Sequence, residues 1–243
     1  MKSAEPLVTC AYCERTVRTI NGVPLYLEGT ESEHGGGLAQ STFERPRGYQ
    51  SCIRAKYCLQ SLLGARDAQI DIDQITKDKS VLDVGCGPAL DLPNAENGHT
   101  LAKRYVGLDT SASFVLSARE RHPSAQFQFG QASALELPFE DNSFDVVLAS
   151  FLLHHVRGDL GQAVDEFARV ARSHVVIFDH LRSERSFKRH VQGAYWRIFD
   201  GGFQYLTAAE WDELLRRFRI VRRVRSGLLF GHVMKFVCEV PAA

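Results

Sequence analysis

Two glycines and two aspartates are spaced for binding a nucleoside. The segment SVLDVGCGPALDLP, residues 80–93, runs apolar residues into Asp83, Gly85 and Gly87. Glycines at the end of a strand tolerate a left-handed backbone and let a ligand approach the main chain closely. Asp109 ends the next predicted strand, RYVGLD, and a carboxylate there can accept two hydrogen bonds from ribose hydroxyls.

The same residues favour a cofactor without phosphate. A dinucleotide site carries Gly-x-Gly-x-x-Gly, but here Gly87 is followed by Pro88, Ala89 and Leu90. The carboxylate of Asp83 would repel a phosphate and would suit an ammonium group. S-adenosylmethionine has an amine, a sulfonium and no phosphate, so it fits these residues better than a dinucleotide.

The elements that must position these residues alternate between strands and helices. Five apolar segments predict strands buried on both faces: SVLDVG, RYVGLD, AQFQFGQ, FDVVLAS and SHVVIFDH. Ser111, Asp159 and Thr207 are predicted N-caps of helices, and Glu210 completes a capping box with Thr207. FRIVRRVRSG and GHVMKFVCEV predict a final β-hairpin. This order predicts an α/β fold with a doubly wound, mostly parallel sheet and an antiparallel end.

Residues 1–42 are predicted to be a hairpin appendage and linker, and residues 43–243 the main domain. TVRTINGVPLYLEG alternates around Asn21-Gly22, a strong hairpin turn signal. ESEHGGGLAQS has the composition of a flexible linker.

Composition predicts a protein of the cytoplasm. The 243 residues contain 29 Lys+Arg and 29 Asp+Glu, so the charge balance does not demand nucleic acid or an anionic membrane as partner. We find no apolar run long enough to span a bilayer and no signal-peptide layout at the N-terminus. We therefore expect a small-molecule substrate, no membrane association, and a monomer or homodimer.

Five segments in order resemble class I S-adenosylmethionine-dependent methyltransferases of the small-molecule type. VLDVGCGPA resembles the first motif of that family, and YVGLDTSASFVLSAR resembles the second. FGQASALELPFEDNSFDVVLASFLLHHV resembles the third and fourth, and DEFARVARSHVVIFDH the segment leading through the fifth strand. The resemblance implies a seven-stranded Rossmann-like sheet and S-adenosylmethionine as cofactor. It also implies methyl transfer to an oxygen or nitrogen of a small aromatic metabolite.

The resemblance further implies ten cofactor-binding residues. They are Asp83, Gly85, Cys86 and Gly87 around the methionine part, Asp109 and Thr110 at the ribose, Gln131, Ala132 and Ser133 at the adenine, and Ser150 near the sulfonium. Two positions depart from the family pattern. Ala89 replaces the third glycine, and Gln131 replaces an acid that contacts the adenine amino group, although its amide oxygen can accept the same hydrogen bond.

His154 and His180 are the candidate catalytic residues. They follow the fourth and fifth predicted strands, at the sheet edge where substrate meets the methyl group. Either could take a proton from a hydroxyl, and either could instead serve the structure. Because alignment with an activated sulfonium can carry much of the rate, the histidines do not identify the acceptor atom.

Two segments, 43–63 and 182–206, are expected to cover the substrate. Tyr49 in the first, and Tyr195 and Trp196 in the second, are the candidate substrate-binding residues. Aromatic side chains with polar tips suit a ring-containing organic substrate, and the alternative is a packed lid without substrate contact.

Two features keep other functions open. Cys10-x-x-Cys13 resembles half of a zinc ribbon, but no second such pair follows at ribbon spacing, so we predict no bound metal. LLRRFRIVRRVRSG contains six arginines and would suit an RNA methyltransferase, the first alternative. The second alternative is a non-catalytic protein that keeps the cofactor fold as a scaffold.

Overall fold

A computed structural model describes residues 7–9, 16–26, 72–90, 102–185, 189–190, 192–193, 202–228 and 231–241. Its strands form one sheet in the order β1-β2-β3-β6-β5-β4-β7-β8-β10-β9. The strands are β1 (Leu7–Thr9), β2 (Thr16–Ile20), β3 (Val23–Leu25), β4 (Ser80–Val84), β5 (Arg104–Asp109), β6 (Phe127–Gln131), β7 (Phe144–Ser150), β8 (Ala171–Leu181), β9 (Arg219–Leu228) and β10 (Gly231–Glu239).

Seven of these strands, β4 to β10, form the predicted doubly wound sheet. Strands β4 to β8 run parallel, and β10 lies antiparallel between β8 and β9. The strand order reverses at β4, so the turns after β4 and β7 leave the same edge in opposite directions. Ligands bind outside the carboxyl ends of the strands at such a reversal.

The N-terminal hairpin extends this sheet. Asn21 and Gly22 turn the chain with φ of 51° and 77°, the left-handed pair that a two-residue hairpin requires. Strand β3 then pairs parallel with β6 through Leu25 opposite Gln131. The hairpin therefore joins the sheet at the strand that carries a predicted cofactor residue. The boundary between 42 and 43 lies outside the described residues and stays a prediction.

Four described helices flank the sheet: α1 (Ile72–Thr76), α2 (Ala112–Arg121), α3 (Leu160–Val170) and α4 (Ala208–Leu214). The predicted N-caps are confirmed, since Ser111, Asp159 and Thr207 each accept a backbone N–H through the side chain, and Glu210 completes the capping box. No helix in the described part of the chain is long and apolar enough to cross a membrane.

Two apolar layers hold the sheet, one on each face. On one face, Phe167 of α3 and Trp211 of α4 pack with Leu82 and Ile177. On the other face, Val115 of α2 packs with Val81 and other strand residues. Burial on both faces explains why the parallel strands read as nearly unbroken apolar runs, and it fixes their carboxyl ends along one edge.

Candidate active site

The glycine turn after β4 satisfies its own backbone. Gly85 and Cys86 both donate their N–H groups to the carbonyl of Leu108, over 2.7 and 2.9 Å. Gly87 N–H donates to Oδ2 of Asp109 over 2.9 Å, and Ala89 N–H donates to the Cys86 carbonyl over 3.1 Å. Pro88, the remaining residue between 85 and 89, has no N–H.

This arrangement disfavours a phosphate ligand. Phosphate-binding turns present unpaired backbone N–H groups to the anion, and every N–H from residue 85 to residue 89 already has an acceptor within the protein. The expectation that Gly85, Cys86 and Gly87 line a ligand can therefore be met only through their carbonyls and Cα atoms.

Space for a ligand lies beside Gly87. A Cβ atom built on Gly87, whose φ is 54°, has no atom within 4 Å among its described surroundings. A Cβ on Gly85 would instead lie 2.6 Å from Cδ1 of Leu152. Gly85 thus packs against the segment that follows β7, whereas Gly87 faces open space.

Asp109 is held rigidly at the carboxyl end of β5. Its Oδ1 accepts the N–H of Ser111 over 2.8 Å, and its Oδ2 accepts the N–H of Gly87. The residue is 9% exposed. The carboxylate therefore ties the glycine turn to the start of α2 and has a fixed orientation at the sheet edge.

Gln131 ends β6 beside Asp109, as the register of the two strands shows. Its Nε2 donates to the Thr110 carbonyl over 2.9 Å, while its buried Oε1 has no hydrogen-bond partner in the described structure. Ala132 N–H donates to the Asp109 carbonyl, and the Ser133 hydroxyl accepts the N–H of Leu135. A buried acceptor without a donor is costly, so Gln131 suits an incoming N–H donor.

Asp83 and Cys86 have internal partners. The Tyr105 hydroxyl donates to Oδ2 of Asp83 over 2.5 Å. Burial, and next the carboxylates of Asp109 and Asp83, raise the pKa of the Cys86 thiol well above its ordinary value. That thiol therefore stays protonated at neutral pH and is a poor nucleophile.

His154 and Asp179 form a buried pair. The Nδ1 atom of His154 lies 2.5 Å from Oδ1 of Asp179, and the side chains are 2% and 1% exposed. Oδ2 of Asp179 accepts the His154 N–H over 3.2 Å, and Oδ1 also accepts the His180 N–H over 2.6 Å. Three donors on Asp179 fix the orientation of the carboxylate and of the imidazole.

The surroundings keep Asp179 ionised. Burial raises its pKa, but the charge and hydrogen bond of His154, followed by the contributions of His180, leave the Asp179 pKa below its ordinary value. When the His154 ring is neutral and its Nδ1–H faces this carboxylate, the lone pair of the ring lies on Nε2.

The segment 202–206, which we name the strap, covers His154. The N–H groups of Phe203 and Gln204 donate to the His154 carbonyl over 2.7 and 3.2 Å. The Tyr205 ring stacks on the imidazole at 5.5 Å, and a Cβ on Gly202 would lie 2.6 Å from Cδ2 of His154. The strap thus lies over one face of the ring and beside its Cδ2 edge, and His154 is only 2% exposed.

Phe151 turns the chain between Ser150 and the histidines. Its φ of 54° is left-handed, which is uncommon for a bulky residue and typical of strained functional sites. Its N–H donates to the Phe178 carbonyl over 2.7 Å, and its ring lies 5.3 Å from that of His180. Ser150 is the half-buried last residue of β7.

Three contributors to this cluster, Asp179, Phe151 and Tyr205, are not among the candidate site residues predicted from the sequence, although Tyr205 lies in the predicted covering segment 182–206. The available signal for Asp179 was its place at the end of β8, directly beside the strand that leads to His154.

Several predicted features lie outside the described residues, namely Tyr49, Tyr195 and Trp196, the segment 43–63, and Cys10 and Cys13. Among the arginines of the C-terminal run, four have acidic partners: Arg216 with Glu213, Arg217 with Asp165, Arg219 with Glu239 and Arg223 with Asp212. These ion pairs reduce the positive charge that the run would offer to RNA.

Comparison with known proteins identifies the family to which residues 82–178 belong. Residues 82–178 match the family model described as a methyltransferase domain. They form a class I S-adenosylmethionine-dependent methyltransferase domain. This methyltransferase domain takes in the glycine turn, Asp109, Gln131 and His154, and S-adenosylmethionine is its cofactor.

The chain is similar to two curated methyltransferases and to one solved methyltransferase structure. The chain is 30% identical over 156 residues to demethylmenaquinone methyltransferase of Bacillus licheniformis, covering 61% of this chain and 65% of the relative. It is 33% identical over 122 residues to fatty-acid O-methyltransferase of Mycolicibacterium smegmatis, covering 48% and 40%. Both matches span less than two thirds of the relative.

The solved structure is magnesium protoporphyrin IX methyltransferase of Synechocystis with bound SAH. It superposes with a TM-score of 0.53 at 16% identity, over 86% of this chain and 90% of that one. At this identity the likeness supports the fold alone and carries no information about the substrate.

Proposed function

We propose that the protein transfers the methyl group of S-adenosylmethionine to an oxygen or nitrogen atom of a small aromatic metabolite. The observation that carries this proposal is the buried His154–Asp179 pair beside an intact nucleoside-binding edge. The relatives named for a quinone and for a fatty acid support an organic, largely apolar acceptor.

The residues at the sheet edge fit the cofactor. The Asp109 carboxylate would bind the ribose hydroxyls, since a carboxylate has about four lone-pair sites and the two backbone donors fix its orientation. The buried Oε1 of Gln131 would accept the adenine amino group. The open space beside Gly87 would admit the methionine part. When bound, the cofactor supplies an activated methyl group on a sulfonium.

His154 would act as the general base. The ionised Asp179 holds Nδ1–H, so Nε2 can accept the proton that an acceptor hydroxyl or amine loses as its oxygen or nitrogen lone pair attacks the methyl carbon. Asp179 also stabilises the imidazolium that results. Leu152, two residues before His154, packs on Gly85, which ties the base to the cofactor turn.

The strap must move for this reaction. His154 is 2% exposed, because the backbone of Gly202 and the ring of Tyr205 cover it. An acceptor therefore reaches Nε2 only after residues 202–206 shift. Closure afterwards would exclude water and align the acceptor with the methyl group. His180, 4.7 Å from the His154 ring, would line the same space.

A panel of phenols, quinols, amines and carboxylic acids tests this function. Product S-adenosylhomocysteine and the methylated acceptor are quantified by mass spectrometry for the wild type and for His154→Ala. We expect turnover of at least one hydroxyl or amine acceptor, with kcat about 100-fold lower in His154→Ala and unchanged cofactor affinity. Equal kcat in both proteins would contradict the role of His154.

A further inference from the structure

The glycine turn ends on a residue in an unfavourable conformation. Ala89 has a φ of 49°, in the left-handed region that residues with a Cβ atom rarely adopt. It is also 4% exposed, so water does not satisfy its carbonyl group. A contact from outside the turn, to the buried carbonyl of Ala89, would stabilise this conformation further.

His122 supplies that contact. Its Nε2 lies 2.9 Å from the Ala89 carbonyl oxygen, and the histidine is 5% exposed. Because a carbonyl only accepts, Nε2 carries the proton. The ring is fixed by packing, at 5.3 Å from Phe127 and 6.2 Å from Phe129, and the His122 N–H caps α2 by donating to the Ala118 carbonyl.

The contact continues through the turn to the ribose-binding carboxylate. Ala89 N–H closes the turn on the Cys86 carbonyl, and Gly87, within that turn, donates to Asp109. His122 therefore fixes the far end of a hydrogen-bonded path whose near end orients Asp109. It lies 33 residues along the chain from the turn.

We propose that His122 is a positioning residue for the cofactor site: its hydrogen bond to the Ala89 carbonyl holds the turn in its binding conformation. His122 contacts the turn and would act on the cofactor site through that contact. The inference rests on the assignment of this turn to S-adenosylmethionine.

Matched variants separate the donor from the ring. His122→Phe keeps an aromatic ring and removes the donor, and His122→Gln keeps a donor at similar reach. Ala89→Gly removes the backbone strain, alone and combined with His122→Phe. Two quantities are measured: hydrogen exchange of the amides of residues 85–90 in the cofactor-free protein, and the Kd for S-adenosylmethionine by calorimetry.

We expect faster exchange in the turn and a Kd about 5- to 10-fold higher in His122→Phe, the loss of one hydrogen bond. In His122→Gln we expect the exchange rate and the Kd to stay within about twofold of the wild type. In the Ala89→Gly background, adding His122→Phe should change either quantity by about twofold or less. Wild-type exchange and Kd in His122→Phe would overturn the inference.

Two controls keep the result decisive. If His122→Phe does not fold, His122→Asn replaces it, because its shorter amide cannot reach the Ala89 carbonyl. If the wild type fails to bind S-adenosylmethionine, the cofactor assignment fails. The exchange rates of the cofactor-free turn still decide whether His122 holds it.

Discussion

His154 and Asp179 meet at the carboxyl ends of two adjacent parallel strands, with Nδ1 of the histidine 2.5 Å from Oδ1 of the aspartate. Both side chains are almost fully buried, so each requires the other: an unpaired buried carboxylate or imidazolium would be strongly destabilising. The same contact therefore stabilises the carboxyl ends of β7 and β8 and orients the imidazole of His154.

Asp179→Asn tests the chemical part of this relationship. We expect kcat to fall about 100-fold, because the amide no longer stabilises an imidazolium at His154, while the Kd for S-adenosylmethionine changes less than about twofold. The matched control is Asp141→Asn, whose side chain is 71% exposed. Steady-state rates with any acceptor found in the panel give the answer, and an unchanged kcat would exclude the pair from catalysis.

The glycines of the cofactor turn have separable roles. Gly85→Ala should lower the free energy of unfolding by about 1 to 3 kcal/mol, since its Cβ would overlap Leu152. Gly87→Ala should cost about 1 kcal/mol of strain and weaken cofactor binding at least about tenfold, because its Cβ enters the ligand space.

Gly22→Ala is the matched control for Gly87→Ala. Gly22 also has a positive φ and open surroundings, but it lies in the N-terminal hairpin. Urea unfolding and calorimetry separate the two effects. Equal cofactor affinity in both variants would show that the space beside Gly87 is not the cofactor site.

Gly202→Ala tests the strap. A Cβ there would lie 2.6 Å from Cδ2 of His154 and from the Tyr205 hydroxyl, so the strap must shift off the imidazole. We expect kcat to fall about tenfold with cofactor affinity unchanged, because closure over the acceptor is impaired. A Cβ on Gly193 would have no atom within 4 Å among the described residues, so Gly193→Ala should behave as wild type. A normal kcat in Gly202→Ala would remove the strap from the mechanism.

Acid should destabilise the protein through a carboxylate on α3. The hydrogen bond from Arg169 lowers the pKa of Glu166 against the opposing effect of burial. A group whose pKa is lower in the folded state stabilises above its unfolded pKa, about 4.3 for Glu, and that stability is lost as pH falls through the folded value.

Glu166→Gln should therefore reduce the free energy of unfolding at pH 7 and flatten its decline below about pH 4. Glu140→Gln, at an exposed position, is the control. Urea unfolding at pH 7, 5 and 3.5 measures both. A parallel pH dependence in wild type and Glu166→Gln would contradict the assignment.

Much of the fold was predictable because its elements are encoded locally. Apolar runs, the N-caps Ser111, Asp159 and Thr207, and the Asn21-Gly22 turn each depend on neighbouring residues, and the structure confirms them. The joining of the N-terminal hairpin to β6 was not predicted, since parallel pairing depends on residues far apart in sequence.

Within the candidate site, Asp109 could be predicted from the sequence, whereas the contacts of the buried histidines could not. Asp109 was predictable because its place at a strand end determines its surroundings. The contacts of His154 with Asp179 and of His122 with Ala89 depend on how strand ends, turns and a helix end converge in three dimensions. Residue type and spacing do not specify such contacts.

Calorimetric titration of S-adenosylmethionine into the wild type and Asp109→Ala tests the central claim most directly. We expect micromolar binding by the wild type, at least about tenfold weaker binding by Asp109→Ala, and unchanged binding by Asp141→Ala. No binding by a folded wild type, or equal affinity in Asp109→Ala, would contradict the cofactor site described here.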